Sequence, residues 1–179
     1  YIIAQTADGL LLVDQHAAHE KVLYEEIMRD IRNGTVKIQE MLIPEIIETT
    51  RAEKKVIENS RGIFEKAGFE IEEFGENEYK VSAHPVVFKN KEVAPAVKEI
   101  IAKLMDSGSS KEKDVFGDIA ETMACRAAVK GGDKLNAREI EELLNEYFEI
   151  EEPFSCPHGR PVMVKISFGE IEKMFKRRV

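Results

Sequence analysis

Residues 10 to 31 constrain the fold more tightly than any other stretch. The apolar run Leu10-Leu11-Leu12-Val13 reads as a buried strand. Asp14 ends it, and from Gln15 to about Ile31 the apolar residues recur at helical spacing. At about 100° per residue, Ala17, Tyr24, Ile27, Met28 and Ile31 share one stripe. Glu20 falls inside that stripe, with His16 stacked on it at i, i+4. A carboxylate on a core-facing stripe costs several kcal/mol unless a cation neutralises it. A metal ion held by His16 and Glu20, with Asp14 beside them at the strand end, provides that neutralisation. A buried arginine paired with Glu20 is the competing arrangement, and His16 taken alone fits an ordinary core or cap histidine. Glu25 differs: it faces away with Lys21 and Arg29 at i−4 and i+4, as in a solvated salt-bridge ladder.

A second dense motif, Cys156-Pro157-His158-Gly159-Arg160-Pro161, lies far along the chain. In an extended segment, positions i and i+2 point the same way, so Cys156 and His158 can hold one ion. The prolines stiffen the loop and lower the entropic cost of ordering the ligands. Cys125 sits about 180° from the apolar stripe of its own helix. It is either a small residue at a packing seam or a further ligand. Thiolate, imidazole and carboxylate together form a zinc-type donor set. His19 points to a side of its helix distant from Glu20, and His84, before Pro85, reads as a strand-end residue.

Composition sets limits on what such a site can serve. With 179 residues, 43% hydrophobic and 34% charged, the chain has enough apolar material for one core or two small ones. Two cysteines cannot build a disulfide framework and suit a reducing cytoplasm. No apolar run approaches the ~20 residues of a membrane span. A net charge of −8 argues against an autonomous DNA binder. The one basic cluster is terminal: Lys173, Lys176, Arg177 and Arg178. It equally suits the negative end of a helix. The chain starts inside an apparent strand, as a piece of a longer protein would.

Along the chain, Tyr1–Thr6 and Leu10–Val13 flank the turn Ala7-Asp8-Gly9. The first helix stops at Asn33-Gly34, and Val36 to Ile43 is a strand ended by Pro44. Thr50-Arg51-Ala52-Glu53 is a capping box; its helix turns Ala52, Val56, Ile63, Phe64 and Ala67 inward and closes at Gly68. Residues 69–74 and 78–82 form a hairpin around Gly75-Glu76-Asn77. Val93 to Leu104 is an amphipathic helix, and Asp106–Lys113 a loop or hinge. Phe116, Ile119, Ala120, Met123, Ala124 and Ala127 mark the next helix. Asn136-Ala137-Arg138-Glu139 caps another, with Ile140, Leu143, Leu144, Tyr147 and Phe148 inward. The Pro153–Pro161 loop, a strand over 162–168 and a short helix finish the chain. Strands and helices alternate irregularly, which indicates an α+β fold. Residues 35–113 read as a unit inserted into a scaffold made from 1–34 and 114–179.

Four runs, DQHAAHEKVLYEE (14–26), ACR (124–126), CPHGRP (156–161) and FKR (175–177), resemble the C-terminal domain of the MutL mismatch-repair endonucleases. The first has the family's form DQHA, two residues, Glu, four residues, Glu, with Glu20 and Glu25 in those places. The resemblance implies a dimerisation and endonuclease subdomain from the two chain ends, an inserted regulatory subdomain, and a homodimer that nicks duplex DNA. It implies that Asp14 is essential for cleavage, with Glu20 and His16, and that His16, Glu20, Cys125, Cys156 and His158 gather metal. Zinc would be structural or regulatory, and manganese or magnesium would support cutting. Gln39-Glu40-Met41-Leu42-Ile43-Pro44 is similar to the family's sliding-clamp peptide. The alternative is a plain strand whose Leu42 and Ile43 fill the local core. Arg160, Lys176 and Arg177 would touch DNA. The longer protein would contribute an ATPase and contact with MutS, in a cytoplasmic, nucleoid-associated setting. A dimerisation and clamp-binding module with purely structural zinc is the competing function; a small-molecule metallohydrolase fits the ligands but not the clamp-like peptide. Asp14 separates the first two, since structural zinc does not need it.

Overall fold

The computed structural model describes residues 1–88, 93–106, 112–129, 132–151, 156 and 158–177. In chain order its elements begin with β1 (Ile2–Thr6), β2 (Gly9–Val13), α1 (Gln15–Asn33), β3 (Ile38–Glu48), α2 (Arg51–Asn59) and α3 (Arg61–Lys66). They continue with β4 (Glu70–Gly75), β5 (Glu78–Pro85), a 3-10 turn (Val86–Phe88), α4 (Val93–Asp106) and α5 (Glu112–Ala127). The last three are α6 (Ala137–Phe148), β6 (Met163–Ser167) and α7 (Phe168–Met174). The fold is α+β, as the irregular order of elements implies. Two compact units result: Tyr1–Leu23 with Ala128–Val179, and Tyr24–Ala127. The division therefore falls inside α1 and at the end of α5, rather than at residues 34 and 113. The physical reason is that α1 buries two sets of residues. Ala17 and Ala18 belong to the first unit's core, whereas Ile27, Met28 and Ile31 are buried in the second.

In the first unit, β2 lies between β1 and β6, antiparallel to both. The hairpin turn is Ala7-Asp8, with Thr6 facing Gly9. Gly9 is required by close packing: a Cβ there would stand 2.1 Å from the Ile166 carbonyl oxygen. One face of the sheet carries Ile2 and Val13, which pack with Ala17, Ala18, Leu143, Tyr147, Cys156 and Val162. The helix α6 supplying Leu143 and Tyr147 begins at a reciprocal capping box, with Asn136 bonding the Arg138 and Glu139 amides. Phe148, expected inward, is exposed. The opposite sheet face presents a cross-strand row of Ile3, Leu12 and Val164, with Ile3 67% exposed.

The second unit is built on the sheet order β3-β5-β4, again antiparallel. Its core includes edge-to-face contacts of Phe69 with Phe64 and Phe88, and of Phe88 with the buried His84. The helix opened by the Thr50 capping box breaks at Ser60 into α2 and α3. Within α2 the buried residue is Ile57, and Ala52 is exposed. Gly68 follows at φ 87°, where a Cβ would meet Val36 Cγ1 at 2.6 Å. Arg126 of the ACR triplet donates from Nε and Nη2 to Glu99, joining α5 to α4. Of the expected loop at 106–113, Asp106 ends α4 and Glu112 and Lys113 belong to α5; residues 107–111 lie outside the described residues.

Pro44 does not end the third strand. β3 runs on to Glu48 through an irregularity in which Glu40 faces Ala83 and Glu45 faces Val81. Residues 41–44 thus stand opposite the single Ser82 and bulge from the ladder. A proline is tolerated there because no ladder donor is needed. Leu42 is 102% exposed and Ile43 82%, so neither fills the core. Beyond the bulge, Glu45 accepts bonds from the Val93 and Ala94 amides at the start of α4, at 3.4 and 2.6 Å.

Candidate metal centre

The site is assembled where β2 passes into α1. The Asp14 amide donates to the Val162 carbonyl at 2.9 Å, extending the β2–β6 pairing by one step. Asp14 Oδ1 then accepts from the amides of His16 and Ala17, at 3.0 and 3.1 Å, as an N-cap. The strand end and helix start are thereby locked together, and the first turn of α1 is aimed from a fixed point. Six residues past Asp14, Glu20 is only 3% exposed.

Cys156 and His158 converge on Glu20 by a turn, not by an extended segment. The Gly159 amide donates to Cys156 O at 2.8 Å, and the Cys156 amide to Arg160 O at 2.9 Å. Gly159 takes φ 78°, the left-handed conformation such a turn favours. Cys156 is buried within the first unit's apolar core. Ligand atoms of Glu20, Cys156 and His158 all lie within 4.8 Å of one another. Bond lengths of about 2.0–2.3 Å around a tetrahedral zinc imply ligand separations of roughly 3.3–3.8 Å. An inward shift of about 1 Å by flexible side chains closes that difference.

Two imidazoles lie close to the buried Glu20 carboxylate. His16 Nε2 is 3.3 Å from Glu20 Oε1, and His158 Nδ1 is 3.8 Å from Oε2. Among the described residues, the basic groups at Glu20 are these two imidazoles, with no guanidinium ion pair. His16 Nδ1 lies 2.7 Å from the Val129 carbonyl oxygen, which can only accept. The proton of a neutral His16 ring is therefore on Nδ1, and the Nε2 lone pair faces the Glu20 carboxylate. Two acceptors at that separation repel unless a proton or a metal ion lies between them. The converging donors are a cysteine sulfur, an imidazole and a carboxylate, a combination zinc accepts, with the His16 imidazole beside the carboxylate.

The remaining site residues fall as follows. Cys125 is exposed on α5, and Glu25 is half-buried on α1; both belong to the second unit. His84, also there, is buried with Nδ1 2.9 Å from the Pro85 carbonyl. Arg160, Lys176 and Arg177 are exposed on the first unit, Arg177 lying 6.0 Å over the Phe175 ring. Pro153, Pro157 and Arg178 lie outside the described residues. Gln39 and Glu40 are exposed and paired with His84 and Ala83, at the base of the bulge. Sequence reasoning only set His19 apart from Glu20 and missed the contact that this residue makes. Its Nδ1 accepts from the Val129 amide at 3.1 Å. The signal was its i, i+3 relation to His16, which puts both rings on one side of α1.

Glu20, Cys156 and His158 thus converge within one α+β unit, beside the junction of β2 with α1. The family model for the MutL C terminal dimerisation domain matches residues 1–135. The chain is 39% identical over 178 residues to the DNA mismatch repair protein MutL of Endomicrobium trichonymphae. It is 37% identical over 177 residues to that of Clostridium beijerinckii, and 35% over 179 to that of Halothermothrix orenii. Each comparison takes in 99% of this chain, and 30%, 27% and 28% of the respective relative. The chain belongs to the MutL C-terminal dimerisation domain family, and spans less than a third of the length of these relatives. Among the described residues, no helix is long and apolar enough to cross a membrane.

Proposed function

We propose that this chain is the metal-dependent, DNA-nicking and homodimerising domain of a MutL-type mismatch-repair protein. The observation that carries this reading is the buried Glu20 facing Cys156, His158 and His16. Bound manganese or magnesium would polarise a phosphate and lower the pKa of the attacking water, while thiolates favour zinc. Glu20, His16, Cys156 and His158, all of the first unit, would hold metal. Asp14 would act in cleavage through its second carboxylate oxygen, Oδ1 being committed to the helix cap. Arg160, Lys176 and Arg177 would meet phosphates. Contact with MutS and control by ATP would come through the rest of a longer protein. The test is conversion of supercoiled plasmid to nicked circles by this domain with Mn²⁺, abolished by EDTA. Absence of nicking at high protein concentration with clamp present would contradict it. A structural-zinc dimerisation module is favoured by one observation, the capping bonds that already give Asp14 a structural task.

The row Ile3, Leu12 and Val164 supports pairing with a second copy, since it leaves an apolar sheet face open on the first unit. Ile3→Asp with Val164→Asp is expected to turn a dimer into a monomer in analytical ultracentrifugation. An unaltered dimer would place the interface elsewhere.

The bulge at 41–44 supports the clamp peptide. Its apolar side chains are held out in water by a strand pinned on both sides, which lowers the ordering cost of binding. A tether to the replicative clamp would offset the −8 charge by raising the local concentration of DNA. Gln39→Ala with Leu42→Ala is expected to weaken clamp binding about 10-fold or more. Stability should shift by less than about 0.5 kcal/mol, since both residues are exposed. Equal affinity of variant and parent in a titration would remove this assignment.

A further inference from the structure

The first turn of α1 grips the chain at Val129 from two sides. His16 Nδ1–H donates to the Val129 carbonyl at 2.7 Å, and the Val129 amide donates to His19 Nδ1 at 3.1 Å. Beside them, Gln15 Nε2 donates to the Asp133 carbonyl at 2.7 Å. All of these residues belong to the first unit. An amide N–H can only donate, so His19 must present an unprotonated Nδ1 and carry its proton on Nε2. The Val129 carbonyl can only accept, so His16 takes the opposite tautomer. The two rings are thus fixed as a complementary pair by the two polar groups of one residue.

We infer that His19 is a positioning residue: with His16 it clasps Val129, and so sets the ring orientation in which His16 Nε2 faces Glu20. This rests on the metal reading of Glu20 for its consequence, though not for its geometry. The converging ligand atoms are those of Glu20, Cys156 and His158, and His19 is not one of that group. It acts by holding the carbonyl that orients His16, as an outer hydrogen-bond partner orients a metal-binding imidazole. Without its acceptor the Val129 amide loses its partner at the clasp, the segment shifts, and the His16 ring can turn over.

The test compares His19→Leu and His19→Phe, which lack an acceptor, with His19→Asn, which restores one. Zinc affinity is measured by competition with a chromophoric chelator, and the His16 tautomer by long-range ¹H–¹⁵N spectra of zinc-free protein. Affinity is expected to fall about 10- to 100-fold in the Leu and Phe variants. The Asn variant should remain near the parent. His16 is expected as the pure Nδ1–H tautomer in parent and Asn variant, and as a mixture in the others. The Phe variant keeps the ring's bulk and answers the question if Leu disturbs folding. An unchanged affinity and unchanged His16 tautomer in both acceptor-free variants would overturn the inference, as would equal losses in Asn and Leu. His16→Ala and Glu20→Ala separate the two levels. If both retain zinc, the metal reading fails, and the zinc-free spectra still decide the clasp.

Discussion

Asp14→Asn is expected to reduce manganese-dependent nicking by about 100-fold or more while leaving the domain folded. Asparagine is as good an N-cap as aspartate, so the bonds from the His16 and Ala17 amides survive. What is lost is the negative charge. Its removal from a helix N-terminus costs about 0.3–1 kcal/mol of stability, small against the loss of cutting. Asp14→Ala is the informative contrast, since it also deletes the cap and should cost about 1 kcal/mol. Nicking lost only in the alanine variant would give Asp14 a structural task alone and favour the structural-zinc reading. Undiminished nicking in both variants would remove Asp14 from the chemistry altogether.

Metal removal is expected to have the largest effect on stability. A carboxylate buried like Glu20, stripped of its cation, carries a penalty of several kcal/mol. For a domain of this size each kcal/mol is worth about 2–4 °C, so chelation should lower Tm by roughly 5–10 °C. Glu20→Met removes the penalty with the ligand. Its Tm should ignore chelator and lie above that of the chelated parent, by an amount corresponding to about 1–4 kcal/mol. The opposite pattern, a parent indifferent to chelator and a less stable methionine variant, would mean that His16 and His158 satisfy Glu20 unaided.

Much of this arrangement is legible in the residue order, and the exceptions have specific causes. The phase of Glu20 on α1 is a local property of a regular helix, and its burial follows from the stripe it shares. The capping boxes at Thr50 and Asn136 are likewise local and form as written. Pro44 misleads because it ends a strand only where the ladder needs its amide, and the bulge at 41–44 removes that need. Cys156 and His158 converge on Glu20, but the i, i+2 rule finds the pair for the wrong reason; the turn closed by Gly159 brings them together. The clasp of His16 and His19 on Val129 joins residues 110 or more apart in the chain, and no spacing rule reaches so far. The division of the chain inside α1 is hidden for a related reason. A single helical periodicity does not reveal that its two halves serve different cores.

The most direct measurement is the metal content of the purified domain, never exposed to a metal-affinity step, for the parent and for Cys156→Ser, His158→Ala and Glu20→Ala. Stoichiometric zinc in the parent, lost on substitution of any of the three, is the expected result. A metal-free parent with Glu20 still buried, or zinc retained by all three variants, would contradict the account.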